Sequence, residues 1–137
     1  MTRTRRTERR GANAIEFALT FPVFIALLFG FLDFSAYFAG LAITDSITSQ
    51  SCRNGALLDP LVEDPEAAAE EEMRELVESM PFIQCTEGCS LEATIEGASP
   101  SSHLVCKATV DTQILTGMTP VPDLIGSSSM TRMEWQR

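Results

Sequence analysis

Four cysteines, one histidine and a carboxylate set inside an apolar run are the residues of this 137-residue chain whose types and spacing could do chemistry. Cys85-x3-Cys89 and His103-x2-Cys106 supply zinc-ligand types, but the first spacing and an exported location suit zinc poorly. Four cysteines in an exported domain imply two disulfides instead, with three possible connectivities among Cys52, Cys85, Cys89 and Cys106. His103 has no nucleophile to activate, and the Ser runs at 99–102 and 127–129 have the composition of loops and turns. No Gly-rich loop offers to cradle a phosphate. Catalysis finds no foothold, so neither an enzyme nor a metal or other cofactor is expected. Glu70-Glu71-Glu72 lacks a turn-shaped ligand set and reads as a solvated helix face. Glu16 is the exception, because a charge one turn inside an apolar segment is costly unless it is paired.

The elements that must position these groups separate by composition. Five of the 10 basic residues (Arg3, Arg5, Arg6, Arg9 and Arg10) precede Gly11, and seven of the 8 Phe lie between Phe17 and Phe38. Without the five Arg and Glu8 of residues 1–11, the formal charge of −9 becomes −13, with 5 basic and 18 acidic groups left. So acidic a body argues against nucleic acid as its partner, since phosphate contacts need clustered Lys and Arg. Residues 17–32 carry no charge, and apolar character resumes after Asp33 to Ile43, enough at helical rise to cross a bilayer. The Arg cluster before this run predicts one pass with the N-terminus cytoplasmic and the acidic body outside. Asp33 is read as solvated at the outer interface. A cleaved secretory signal explains the segment poorly, because the apolar run is long and Gly40-Leu41-Ala42 leads into Ile43 without a polar change.

Two stripes run along this helix. Phe17, Phe21, Phe24, Leu28, Phe31, Ser35 and Phe38 form an aromatic edge that suits either neighbouring helices or lipid. Ala14, Ala18, Pro22, Ala26 and Gly30 form a small-residue ridge that permits close helix approach. Pro22 is expected to kink or locally melt the helix.

The remainder predicts an α+β domain: a long N-terminal transmembrane and stalk helix, a second short helix, and a small antiparallel sheet of about three strands. The stalk continues through Ile43, Ile47 and Cys52 to Asp59-Pro60. A second helix opens at Asp64-Pro65 and closes before Pro81, with Ala69, Met73, Leu76, Val77 and Met80 on one face. Residues 91–96 and 104–111 alternate with a period of two around a Gly97–Ser102 turn, and residues 127–135 supply a third strand. Cys89 and Cys106 fall on faces that can meet across this hairpin, which favours Cys89–Cys106 and leaves Cys52–Cys85.

The run Arg9-Arg10-Gly11-Ala12-Asn13-Ala14-Ile15-Glu16-Phe17-Ala18-Leu19 resembles the prepilin-peptidase signal of type IV pilins: a basic leader ending in Gly, a Glu five residues on, a Phe, then an apolar helix. Ala-Ile-Glu-Phe-Ala-Leu with Pro22 close behind is similar to the TadE-like pseudopilins of the tight-adherence (Flp/Tad) system. The resemblance extends to the C-terminal Thr119–Ile125 connection and to Met130-Thr131-Arg132-Met133-Glu134. Residues 50–100 match nothing. Both TadE-like and TadF-like branches stay open.

This resemblance implies three segments: a cleaved leader (1–11), an assembly helix (12–43) and an extracytoplasmic disulfide-bonded domain (44–137). It implies cleavage between Gly11 and Ala12, an assembly role for Glu16 and Phe17, and residence in the inner membrane. Its implied partners are the prepilin peptidase, the major Flp pilin, other minor pilins and the inner-membrane assembly platform with its cytoplasmic ATPase. The competing reading from another class is an uncleaved single-span anchor that displays a binding domain, with Glu16 reaching back to the cytoplasmic headgroups.

Overall fold

The computed structural model describes residues 5–59, 61, 63–86, 88–98 and 101–133, with side chains from Asn13 onward. Arg3, Pro60, Ser99, Pro100, Glu134 and Trp135, all used above, lie outside the described residues, as do the side chains of Gly11 and Ala12. Two helices and four strands follow in the order α1 (Arg5–Leu57), α2 (Pro65–Ser79), β1 (Ile83–Gln84), β2 (Ser90–Glu96), β3 (His103–Thr112) and β4 (Leu124–Arg132).

Helix α1 divides into two halves by what surrounds it. From Asn13 to Leu32 its side chains are exposed or half-exposed all round. From Asp33 a buried stripe begins at helical spacing: Asp33, Ala36, Gly40, Thr44, Ile47, Thr48, Ser51, Cys52, Gly55 and Ala56. The residues of this stripe are small, which lets the sheet approach the helix closely. Thr44 and Thr48 enter it without an unmet donor, because their hydroxyls donate to the carbonyls of Gly40 and Thr44, each at 2.8 Å. The apolar stretch expected in the membrane as far as Ile43 is thus shared: residues beyond Leu32 already pack on the head. Pro22 does not melt the helix, which runs unbroken through it.

Local chemistry sets the second helix. The Asp64 carboxylate accepts from the Glu66 amide at 3.0 Å as N-cap, Pro65 stands at the first helical position, and Met80 is extended. Pro65, Ala69, Met73 and Val77 turn inward. Leu76 is half-buried and Met80 is exposed, so the apolar face is narrower than expected.

Strand β3 is the centre of the sheet and pairs antiparallel with all three others. β4 takes one edge, and β2 and β1 lie end to end along the other. The expected three-strand sheet is therefore present with its outer strand in two pieces. β4 begins at Leu124, three residues earlier than expected. Leu104, Cys106, Ala108 and Val110 of β3 are buried with Ile125, Ala93, Met73, Val77 and Ile47 between the sheet and the helices. Each fully buried large aliphatic contributes about 1.5–3 kcal/mol.

The outer edge of β2 faces α2. Glu70 accepts from the Ala93 amide at 3.0 Å and Glu66 from the Ile95 amide at 2.6 Å. Glu72 accepts from the Asn54 side chain at 2.7 Å. The acidic helix face is therefore only partly solvated: two of its carboxylates supply the acceptors that an edge strand otherwise seeks from another chain.

The tightest junction is at Gly55, where a Cβ would lie 2.9 Å from each of Ala69 Cβ, Leu104 Cδ2 and the Pro65 carbonyl oxygen. Two of these three atoms belong to groups that cannot rotate away. Gly55→Ala is expected to destabilise the head by about 1–3 kcal/mol through overpacking, despite the better helix propensity of Ala. Urea unfolding of the detergent-solubilised chain measures it, and an unchanged midpoint would contradict the packing.

Candidate assembly and processing segment

The residues singled out in the N-terminal half are all on α1. The Gly11–Ala12 bond lies within α1 (Arg5–Leu57). The helix continues without a break through residues 5–20. Glu16 is exposed, and among the described residues its carboxylate has no hydrogen-bond or ion-pair partner. Its backbone carbonyl accepts from the Thr20 hydroxyl at 2.9 Å.

Phe17 stacks on Phe21 with ring centroids 5.2 Å apart, and with Thr20 and Phe24 the two line a shallow apolar cleft. Phe17, Phe21, Phe24, Leu28, Phe31 and Phe38 are all exposed, so the aromatic edge is unused by the chain's own fold. The upper end of the small-residue ridge is used internally: a Cβ at Gly30 would sit 3.4 Å from Thr119 Cγ2.

Asp33 is not solvated. It is 2% exposed, and it accepts from the Thr116 amide at 2.8 Å, the Thr116 hydroxyl at 2.6 Å and the Thr119 hydroxyl at 2.9 Å. The loop between β3 and β4 folds back on the helix and meets the hydrogen-bonding needs of this carboxylate. Thr116 and Thr119 are site residues that the sequence did not reveal, since nothing local links them to a helix residue 83 and 86 positions earlier.

The four cysteines form two disulfides, but not in the expected pairing. Cys52 joins Cys106 with Cα atoms 5.6 Å apart, and Cys85 joins Cys89 with Cα atoms 5.0 Å apart. The hairpin register explains why Cys89 and Cys106 do not meet. Cys106 stands opposite Ala93 and Ser90 opposite Thr109, so Cys89 lies four residues, about 13 Å of strand, beyond Cys106's partner. Cys106 instead points inward to the stalk helix, where Cys52 occupies the buried stripe. Cys85–Cys89 closes the loop between β1 and β2, where Asp111 accepts from the Thr86 amide at 2.9 Å and from the Thr86 hydroxyl. The Cys85, Cys89, His103, Cys106 quartet is not assembled, its cysteines being committed to these two bonds.

Residues 11–53, from the proposed cleavage glycine to the residue after Cys52, match the family model of TadE-like proteins. Over this segment the chain is similar to TadE-like proteins. No curated protein and no solved structure was found to match it. The TadE-like segment contains Gly11, Ala12, Glu16, Phe17, the whole exposed half-helix and the buried stripe as far as Cys52, while α2 and the sheet lie beyond it. It supports a Tad pilus-associated protein, and α1 is long and apolar enough to cross a membrane.

Proposed function

We propose that the chain is a minor pilin, or pseudopilin, of an adhesive Flp/Tad-type pilus, made as a precursor and cut by a prepilin peptidase between Gly11 and Ala12. The observation that carries this reading is the exposed half-helix of the TadE-like segment, at whose start the Glu16 carboxylate has no partner among the described residues. Asn13 to Leu32 spans about 30 Å at 1.5 Å per residue, the thickness of a bilayer's hydrocarbon core. With five Arg before it and the acidic head behind it, the helix sits with its N-terminus cytoplasmic and the head outside the inner membrane. Cleavage removes the five Arg and leaves an α-amine on Ala12. In an assembly, that amine pairs with Glu16 of a neighbouring subunit, and the two charges neutralise each other among apolar side chains. The exposed Phe edge packs beside them. Partners in this reading are the peptidase, the major pilin, other minor pilins and the inner-membrane platform, and the chain acts by assembly rather than catalysis.

The N-terminal residue of the mature protein is the test. Ala12 is expected as that residue in cells that contain the peptidase, and the uncut precursor in cells that lack it. A chain that keeps Met1 or Thr2 in both would be a single-span anchor and would overturn the proposal.

A further inference from the structure

We infer that the loop between β3 and β4 is a lipid-facing foot, which seats the head on the outer surface of the membrane and is held in place by Asp33. The inference rests on the membrane-spanning reading of α1 and adds to it a second, independent contact with the bilayer. Three observations bring it together.

First, residues 112–122 carry no charged side chain, although the body they belong to is strongly acidic. Within this stretch Leu115 is 54% and Met118 65% exposed, an apolar pair left unpacked by the head. Gly117, with φ +67° and open space where a Cβ would stand, forms the turn between them. Second, the hydrogen bonds of Thr116 and Thr119 to Asp33 and the approach of Thr119 to Gly30 fix the loop at the level where the exposed half of α1 ends. Leu115 lines a groove there with Leu32, Ser35, Ala36, Ala39 and Phe82. Third, the same level carries exposed Phe34 and Phe38, with Tyr37 edge-on to Phe38 at 5.7 Å, so apolar rings face outward beside the loop. The apolar surface of the loop is thus continuous with that of the spanning helix. Asp33, the one charge between Phe17 and Thr44, is enclosed by the loop rather than presented to lipid. A foot of this kind sinks about 5–10 Å into the headgroup and acyl boundary.

The experiment uses the full chain in phosphatidylcholine–phosphatidylglycerol vesicles that contain lipids brominated at shallow or deep acyl positions. In a Trp135→Phe background, single tryptophans are placed by Met118→Trp, Leu115→Trp, Phe24→Trp and Thr94→Trp, the last at the far end of the sheet. Met118→Trp and Leu115→Trp are expected to be quenched most by shallow bromines, at least about threefold more than Thr94→Trp, and Phe24→Trp most by deep ones. Adding Asp33→Ala is expected to lower the Met118→Trp signal toward that of Thr94→Trp; an undiminished signal would overturn the role of Asp33. Quenching at Phe24→Trp with none at 115 and 118 would overturn the foot and leave the anchor standing. No quenching at Phe24→Trp would remove the membrane reading and the foot together. Shielding of 115 and 118 that appears only on assembly with other subunits would overturn the lipid assignment in favour of a subunit contact.

Discussion

Cys52→Ala combined with Cys106→Ala is expected to cost the head about 4 kcal/mol, a large fraction of the stability that a small domain has. This disulfide joins residues 54 apart in sequence, and closing so long a loop removes much conformational freedom from the unfolded chain. It also fastens the sheet to α1 at two residues that have no exposed surface. Cys85→Ala with Cys89→Ala is expected to cost only about 2 kcal/mol, because those residues are separated by 4 positions. Urea unfolding of the detergent-solubilised chain, read by circular dichroism, separates the two. An inverted order, or a Cys89–Cys106 peptide in a non-reducing digest, would show that the pairing described here is wrong.

Glu16→Gln is the variant with the largest expected effect on assembly. The side chain is exposed and bonds to no described residue, so its loss leaves the fold, the insertion of the helix and the head unchanged. On the proposed pairing, the substitution leaves a neighbour's Ala12 amine unpaired in an apolar layer, at about 3–5 kcal/mol. Co-purification of the other pilus subunits should then fall by about a hundredfold or more. Glu16→Asp keeps the charge on a shorter side chain and should recover part of the loss. Normal incorporation of Glu16→Gln would remove the carboxylate from the assembly mechanism and leave Phe17 and its aromatic edge as the attachment surface.

What could be read from the sequence was what local physics decides. Asp64-Pro65 announces α2 because an N-cap carboxylate and a proline at the first position act within one turn. Alternation in residues 91–96 and 104–111 announces β2 and β3 because a strand has a period of two. Arg-rich leader, Gly11, Glu16 and Phe17 lie within one short stretch and could be read together. The tertiary contacts could not. The hairpin's two strands were visible, but their register was fixed only by how the turn closes, and the pairing of Cys106 turned on that register. β1 has two residues, too few to show any period. Asp33 looked like a solvated interfacial carboxylate because Thr116 and Thr119 are remote in sequence and ordinary in composition. Glu70 looked like a solvent-facing acid because nothing in the helix reveals that a strand edge lies beside it.

The continuity of α1 has a mechanical consequence. Its 53 residues make a rod about 80 Å long, and the head is clamped to it at two separate heights, by the Asp33 hydrogen bonds and by the Cys52–Cys106 disulfide, about 28 Å apart. Two clamps on one rod remove the pivot that a single attachment would leave. A pull on the lower end is therefore delivered to the whole head at once, and head and helix travel as one piece under load. Of the two fastenings, the covalent one bears sustained tension, while the hydrogen-bonded one sets the angle at which the load arrives.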